Sequence, residues 1–136
     1  KLGRVDMFTV VFKAYKGKLE KDIETSMPEW SSARSGILVQ IFCGEDKKYL
    51  QEYSRIVKES LPDAKVIGAT TDGEIAGKEV TAKRSVVSIT IFEHTEVRTT
   101  FSESGDSYTD GRRLSSICDK NTKLLLILSD GTYSNG

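Results

Sequence analysis

Apolar positions along the chain change their spacing several times, and each change marks an element. Met7 to Lys13, M-F-T-V-V-F-K, is β-branched and aromatic and predicts a strand. Leu19, Ile23 and Met27 recur at helical spacing, and Pro28 closes that segment. Ile37 to Cys43, I-L-V-Q-I-F-C, is a nearly continuous apolar run, which suits a strand covered on both faces. Gly44 ends it. Asp46 is placed to cap a helix whose single apolar stripe is Tyr49, Leu50, Tyr53, Ile56, Val57 and Leu61, with Pro62 as its stop. Ala64 to Ala69 reads as a second buried strand.

The pattern then breaks. Val66 to Gly77, V-I-G-A-T-T-D-G-E-I-A-G, passes from apolar to small, polar and glycine-rich. Ser85 to Phe92 alternates as V-V-S-I-T-I-F, and Glu93, His94 and Thr95 make a polar turn. Val97 to Phe101 is expected to return as the partner strand of a hairpin. Ser107 opens a further helix, with Asp110 three residues on as a capping-box variant and Leu114, Ile117 and Cys118 on its inner face. Lys123 to Leu128 is expected to be a third buried strand, ending in Ser129, Asp130 and Gly131.

Strands of buried character alternate with amphipathic helices, so the class is α/β. The expected architecture is a mixed, mainly parallel sheet with a β-hairpin and helices packed on it. No repeat or long linker divides residues 1–136, which read as a single domain. The start at Lys1 and the end in T-Y-S-N-G fit a piece of a longer chain.

Composition removes several classes of function. Apolar residues are 38% and charged residues 29%, a globular balance. Twenty basic and 20 acidic residues cancel, so nothing favours nucleic acid or an anionic membrane as partner. The longest apolar run, Leu124 to Leu128, is too short to span a bilayer. Two cysteines, Cys43 and Cys118, make no disulfide framework, and the expectation is a cytoplasmic chain with reduced thiols.

Three predicted strands end in small polar residues: Cys43-Gly44-Glu45, Thr70-Thr71-Asp72-Gly73, and Ser129-Asp130-Gly131. Open α/β sheets bind ligands outside the carboxyl ends of their strands. If the three are parallel, their hydroxyls, carboxylates and backbone N–H groups converge at one edge. Such a set suits a small zwitterion, with donors meeting its carboxylate and carboxylates its ammonium. The candidate ligand-binding residues are Gly44, Gly68, Thr70, Thr71, Asp72, Gly73, Glu74, Ser129, Asp130 and Gly131. Thr70, Thr71 and Gly73 would donate, and Asp72 or Glu74 would pair with a cation. The plain alternative is that Gly and Asp stand at strand ends because turns need them.

Other chemistries lack their residues. Gly68, Gly73 and Gly77 match neither a P-loop nor a dinucleotide turn. L-I-L-S-D-G-T, Leu126 to Thr132, nearly matches the D-x-D-G-T of haloacid-dehalogenase phosphatases, but Leu128 stands where the nucleophilic aspartate belongs. Gly105-Asp106-Ser107 is similar to the G-D-S of some esterases, yet the single histidine, His94, belongs to a distant predicted turn. One histidine and two cysteines give no spaced metal-ligand pair. No catalytic residue, metal or cofactor is therefore expected. The alternatives to a binding domain are a hydrolase or thiol enzyme using Cys43 or Ser107, and a structural or oligomerisation domain.

Ile37 to Val39 with Phe42, Leu61-Pro62-Asp63-Ala64, the run from Val66 to Ile75, V-V-S-I-T-I-F and L-L-L-I-L-S-D-G together resemble the N-terminal part of a FIST domain (F-box and intracellular signal transduction). The likeness runs from about Val39 to Gly131. Ala69 stands where the family often has cysteine, and Asp72 where it often has alanine. The resemblance implies an intracellular sensory module that binds a small ligand, with amino acids among the candidates. It also implies a C-terminal FIST domain and an effector such as a histidine kinase, chemoreceptor segment or diguanylate cyclase as partners. It supplies no catalytic residues.

Overall fold

The computed structural model describes residues 7–27 and 36–129. They fall in two compact units that divide after Val97, and each is described by itself.

The first unit runs β1 (Met7–Ala14), α1 (Leu19–Ser26), β2 (Gly36–Cys43), α2 (Lys47–Ser60), β3 (Lys65–Thr70), β4 (Glu74–Ala76), β5 (Glu79–Thr81) and β6 (Ser85–Phe92). Four strands form one sheet in the order β1-β6-β2-β3, and β4 pairs with β5 in a separate small hairpin. The α/β class and the mixed sheet are as the apolar pattern predicts. The balance of pairing differs: β2–β3 is parallel, whereas β1–β6 and β2–β6 are antiparallel. Insertion of β6 between β1 and β2 is the cause.

Period-two alternation decides which face is covered. Ile37, Val39, Ile41 and Cys43 of β2 lie opposite Ile91, Ile89, Val87 and Ser85 of β6, and all eight are buried. Tyr53 and Val57 of α2, with Leu19 and Ile23 of α1, complete that core. Each fully buried aliphatic side chain contributes roughly 1.5–3 kcal/mol. The expected cap holds, since the Asp46 carboxylate accepts the Lys48 N–H at 3.2 Å.

The second unit contains α3 (Ser107–Ser115) and otherwise irregular backbone among the described residues. Asp106, one residue before the expected start, is the N-cap and accepts the Thr109 N–H at 2.8 Å. Leu114, Ile117 and Cys118 are half-buried.

Two expected strands are absent. Val97 to Phe101 forms no hairpin with β6, because both edges of β6 are already paired with β1 and β2. Lys123 to Leu128 is irregular rather than a buried strand, and Leu124 is 82% exposed. A strand needs a ladder partner, and no described residue of this unit forms one.

Candidate functional site

β2 and β3 are parallel with Cys43 opposite Thr70, so their carboxyl ends lie side by side. The Thr71 N–H donates to the Cys43 carbonyl at 2.9 Å, and the Gly44 N–H to the Arg84 carbonyl at 2.8 Å. Gly44, Thr70, Thr71, Asp72, Gly73 and Glu74 are thereby gathered at one end of the sheet. Both of these backbone donors are used within the fold. Thr70, Asp72 and Gly73 are exposed. Gly68 sits two residues back on β3, opposite Ile41. Ser129 belongs to the second unit, and Asp130 and Gly131 lie outside the described residues.

The β4–β5 hairpin carries Glu74 to this end. Its arms are three residues each, and Gly77 takes the left-handed backbone (φ 64°) that its turn requires. One face of the hairpin turns inward, and Glu74 is only 3% exposed. Its Oε1 accepts the Thr71 hydroxyl at 2.5 Å. Its Oε2 is buried with no hydrogen-bond partner, and so is Thr81 Oγ1. The opposite face carries Ile75 and Val80, which pair across the hairpin and are both largely exposed. Lys13 of β1 ties the hairpin down through an ion pair with Glu79. That pair holds the lysine above, and the carboxyl below, their ordinary values.

Beside Glu74 lies a second polar cluster that the sequence did not disclose. The Ser85 hydroxyl is 2.6 Å from Glu45 Oε2 and 3.3 Å from Cys43 Sγ. The Tyr53 hydroxyl donates to the same Glu45 oxygen at 3.2 Å. Burial, and then the Glu45 carboxylate, push the Tyr53 phenol up from its ordinary value. Ser85 and Cys43 meet only because β6 runs antiparallel to β2. No spacing along the chain signals this, although Glu45 directly after a strand-ending glycine was a hint. Cys43 is fully buried, so no thiol is presented at the rim.

A cavity of about 390 Å³ lies elsewhere, lined by Ile41, Leu50, Gln51, Ser54, Val66, Ile67 and Gly68. Gly68 lines it, and a Cβ built there would come within 3.0 Å of Leu50 Cδ1. Of the candidate residues it includes only Gly68, and none of its lining residues is charged. It offers nothing to fix the charges of a zwitterion, and the strand ends are the better-equipped place.

The FIST N domain model matches residues 37–136. The chain belongs to the FIST N domain family. No curated protein and no solved structure matches it. The match begins at Ile37, one residue into β2, so this FIST N domain match includes β2, both strand ends and the hairpin that carries Glu74. FIST domains are sensory domains of signal transduction. Among the described residues no helix is long and apolar enough to cross a membrane, and no group of three metal-ligating side chains is present.

Proposed function

We propose that this FIST N domain is the ligand-binding part of an intracellular signalling protein, and that it binds a small zwitterion such as an amino acid without turning it over. One observation carries the reading: the carboxyl ends of two parallel strands lie together under a short hairpin that brings polar side chains to them. Open α/β sheets bind ligands at such ends. Thr70 and Gly73 contribute exposed donors, Asp72 an exposed carboxylate and Glu74 a buried one. Gly44 leaves room for them, since a Cβ there would collide with the Glu74 carboxylate. Thr71 acts through Glu74, to which its hydroxyl is committed. A ligand that binds one arrangement of the hairpin better than another shifts that equilibrium, and an attached C-terminal FIST domain and effector read the shift.

A thermal-shift screen against amino acids and small carboxylates tests this. A ligand present at one hundred times its Kd stabilises by about 2.7 kcal/mol, which raises the melting temperature by several degrees. A selective rise for one chemical class is expected. A flat panel on the full-length protein would sink the reading.

A further inference from the structure

Among the described residues, Glu74 Oε2 and Thr81 Oγ1 are the two buried side-chain oxygens without a hydrogen-bond partner. They are not scattered. Glu74 and Thr81 are direct partners across the β4–β5 ladder, so their side chains leave the same face of the hairpin. That face is the inward one. Cβ atoms of directly opposed residues stand roughly 4.5–5.5 Å apart, so one small group at the side-chain tips can reach both.

A buried carboxylate oxygen with no donor is costly, because it has left water and gained nothing in exchange. A carboxylate accepts only. Glu74 already receives the Thr71 hydroxyl on Oε1, and its second oxygen still needs a proton donor. Thr81 Oγ1 can accept as well as donate. The group that serves both oxygens therefore carries at least two N–H or O–H bonds. It should also be positive, since Glu74 is only 3% exposed and the Thr71 hydroxyl that it accepts is neutral. Lys13 of β1, which reaches the hairpin, is already engaged by Glu79. A metal ion fits poorly, because the described residues hold no cluster of three metal-ligating side chains.

We infer that Glu74 and Thr81 form the receptor for a primary ammonium group, with the β4–β5 hairpin as its cover. This rests on the binding reading above and assigns the cationic end of its ligand to Glu74 rather than to Asp72. An ammonium has three N–H donors. One goes to Glu74 Oε2 as a charge-assisted bond and one to Thr81 Oγ1, leaving the third for the rim. Asp72 is exposed, so its charge is already solvated and gains less from a partner. Entry requires the hairpin to lift. Two strands of three residues each are marginally stable alone, and the outer pair Ile75 and Val80 is already in water, so lifting exposes little more apolar surface there.

The test is an NMR titration of the intact chain with methylammonium, following the Glu74 carboxyl carbon and the Thr81 methyl and β-carbon signals. Tetramethylammonium is the control, because it has the charge and no N–H. The expected result is a saturable shift at both residues with methylammonium and none with tetramethylammonium. Glu74→Gln keeps an oxygen for the Thr71 hydroxyl and removes the charge. It should weaken methylammonium binding by about tenfold or more, the loss of one charge-assisted bond. Thr81→Val and Asp72→Asn should each weaken it by a smaller factor than Glu74→Gln. No shift at Glu74 or Thr81 in the parent chain would overturn the inference and leave the space to a buried water. Equal loss in Asp72→Asn and Glu74→Gln would overturn the assignment to Glu74. If carboxylates without an amine stabilise the domain while methylammonium leaves Glu74 untouched, the binding reading stands and the ammonium assignment falls.

Discussion

Gly44 occupies the most crowded point of the strand ends. A Cβ built there would strike the Glu74 carboxylate and come within 2.9 Å of the Arg84 carbonyl, which is backbone and cannot rotate away. Gly44→Ala should therefore cost about 1–3 kcal/mol through overpacking. Urea denaturation measures this, and a variant as stable as the parent would mean that the hairpin shifts freely. Tyr53 tells a different story. It is buried, and its hydroxyl serves Glu45. Tyr53→Phe keeps the packing and deletes one hydrogen bond, a loss of about 1 kcal/mol in the same assay. The phenol also links stability to alkaline pH. Its folded value is raised, so its contribution is complete below about pH 10, the unfolded value, and declines as pH climbs toward the folded one. Tyr53→Phe should flatten that part of the alkaline stability profile.

At the scale of elements, α3 is held by carboxylates rather than by a core, since it buries none of its residues. The Thr109 side chain and backbone N–H hold Asp106 below the usual carboxylate range. Ser102 and then Ser104 do the same for Asp110, and the Asn121 N–H followed by Arg98 for Asp119. Depressed folded values mean stabilisation that is present above the unfolded value near pH 4 and is lost as pH falls through the lowered ones. Amide protection factors in residues 106–122, taken relative to the intrinsic exchange rate at each pH, should fall on acidification within that window, while the strands of the first unit stay protected. Elements whose cause is local were legible in the sequence. The stripe from Tyr49 to Leu61 with its Asp46 cap gave α2 nearly to the residue, and the apolar run at Ile37 gave β2. Elements whose existence depends on a neighbour were not. Val97 to Phe101 has strand composition, but β6 has no edge left for it. Glu74 to Gly77 reads as loop because each arm of the hairpin is only three residues long. The same divide runs through the candidate site. Thr70 to Glu74 stood out by composition, whereas Thr81 and Ser85 enter only through pairing that no single segment announces.

At the scale of the whole molecule, the described apolar core lies in the first unit. In the second, Phe101, Tyr108 and Leu124 to Leu128 are exposed. Local stability follows buried contacts, so native-state hydrogen exchange should divide the chain sharply. Amides of β2 and β6, whose strands are paired on both edges, should exchange only through global unfolding. Those of residues 123–128, which have no ladder, should exchange within the dead time of the measurement. Comparable protection in the two sets would mean that the apolar run finds a partner in solution.

The position of β6 has a consequence for how the protein is born. It is the last strand in the chain order of the first unit, yet it joins β1 to β2. Synthesis delivers the N-terminus first. Until Phe92 has left the ribosome, β1 has no neighbour and β2 has only β3. Thr9 meets Thr90 across 81 positions of sequence, a loop closure that must be met late and all at once. A nascent chain stalled before Ser85 thus exposes the apolar faces of two unconnected ribbons. A premature stop there yields a polypeptide that lacks the middle of its sheet.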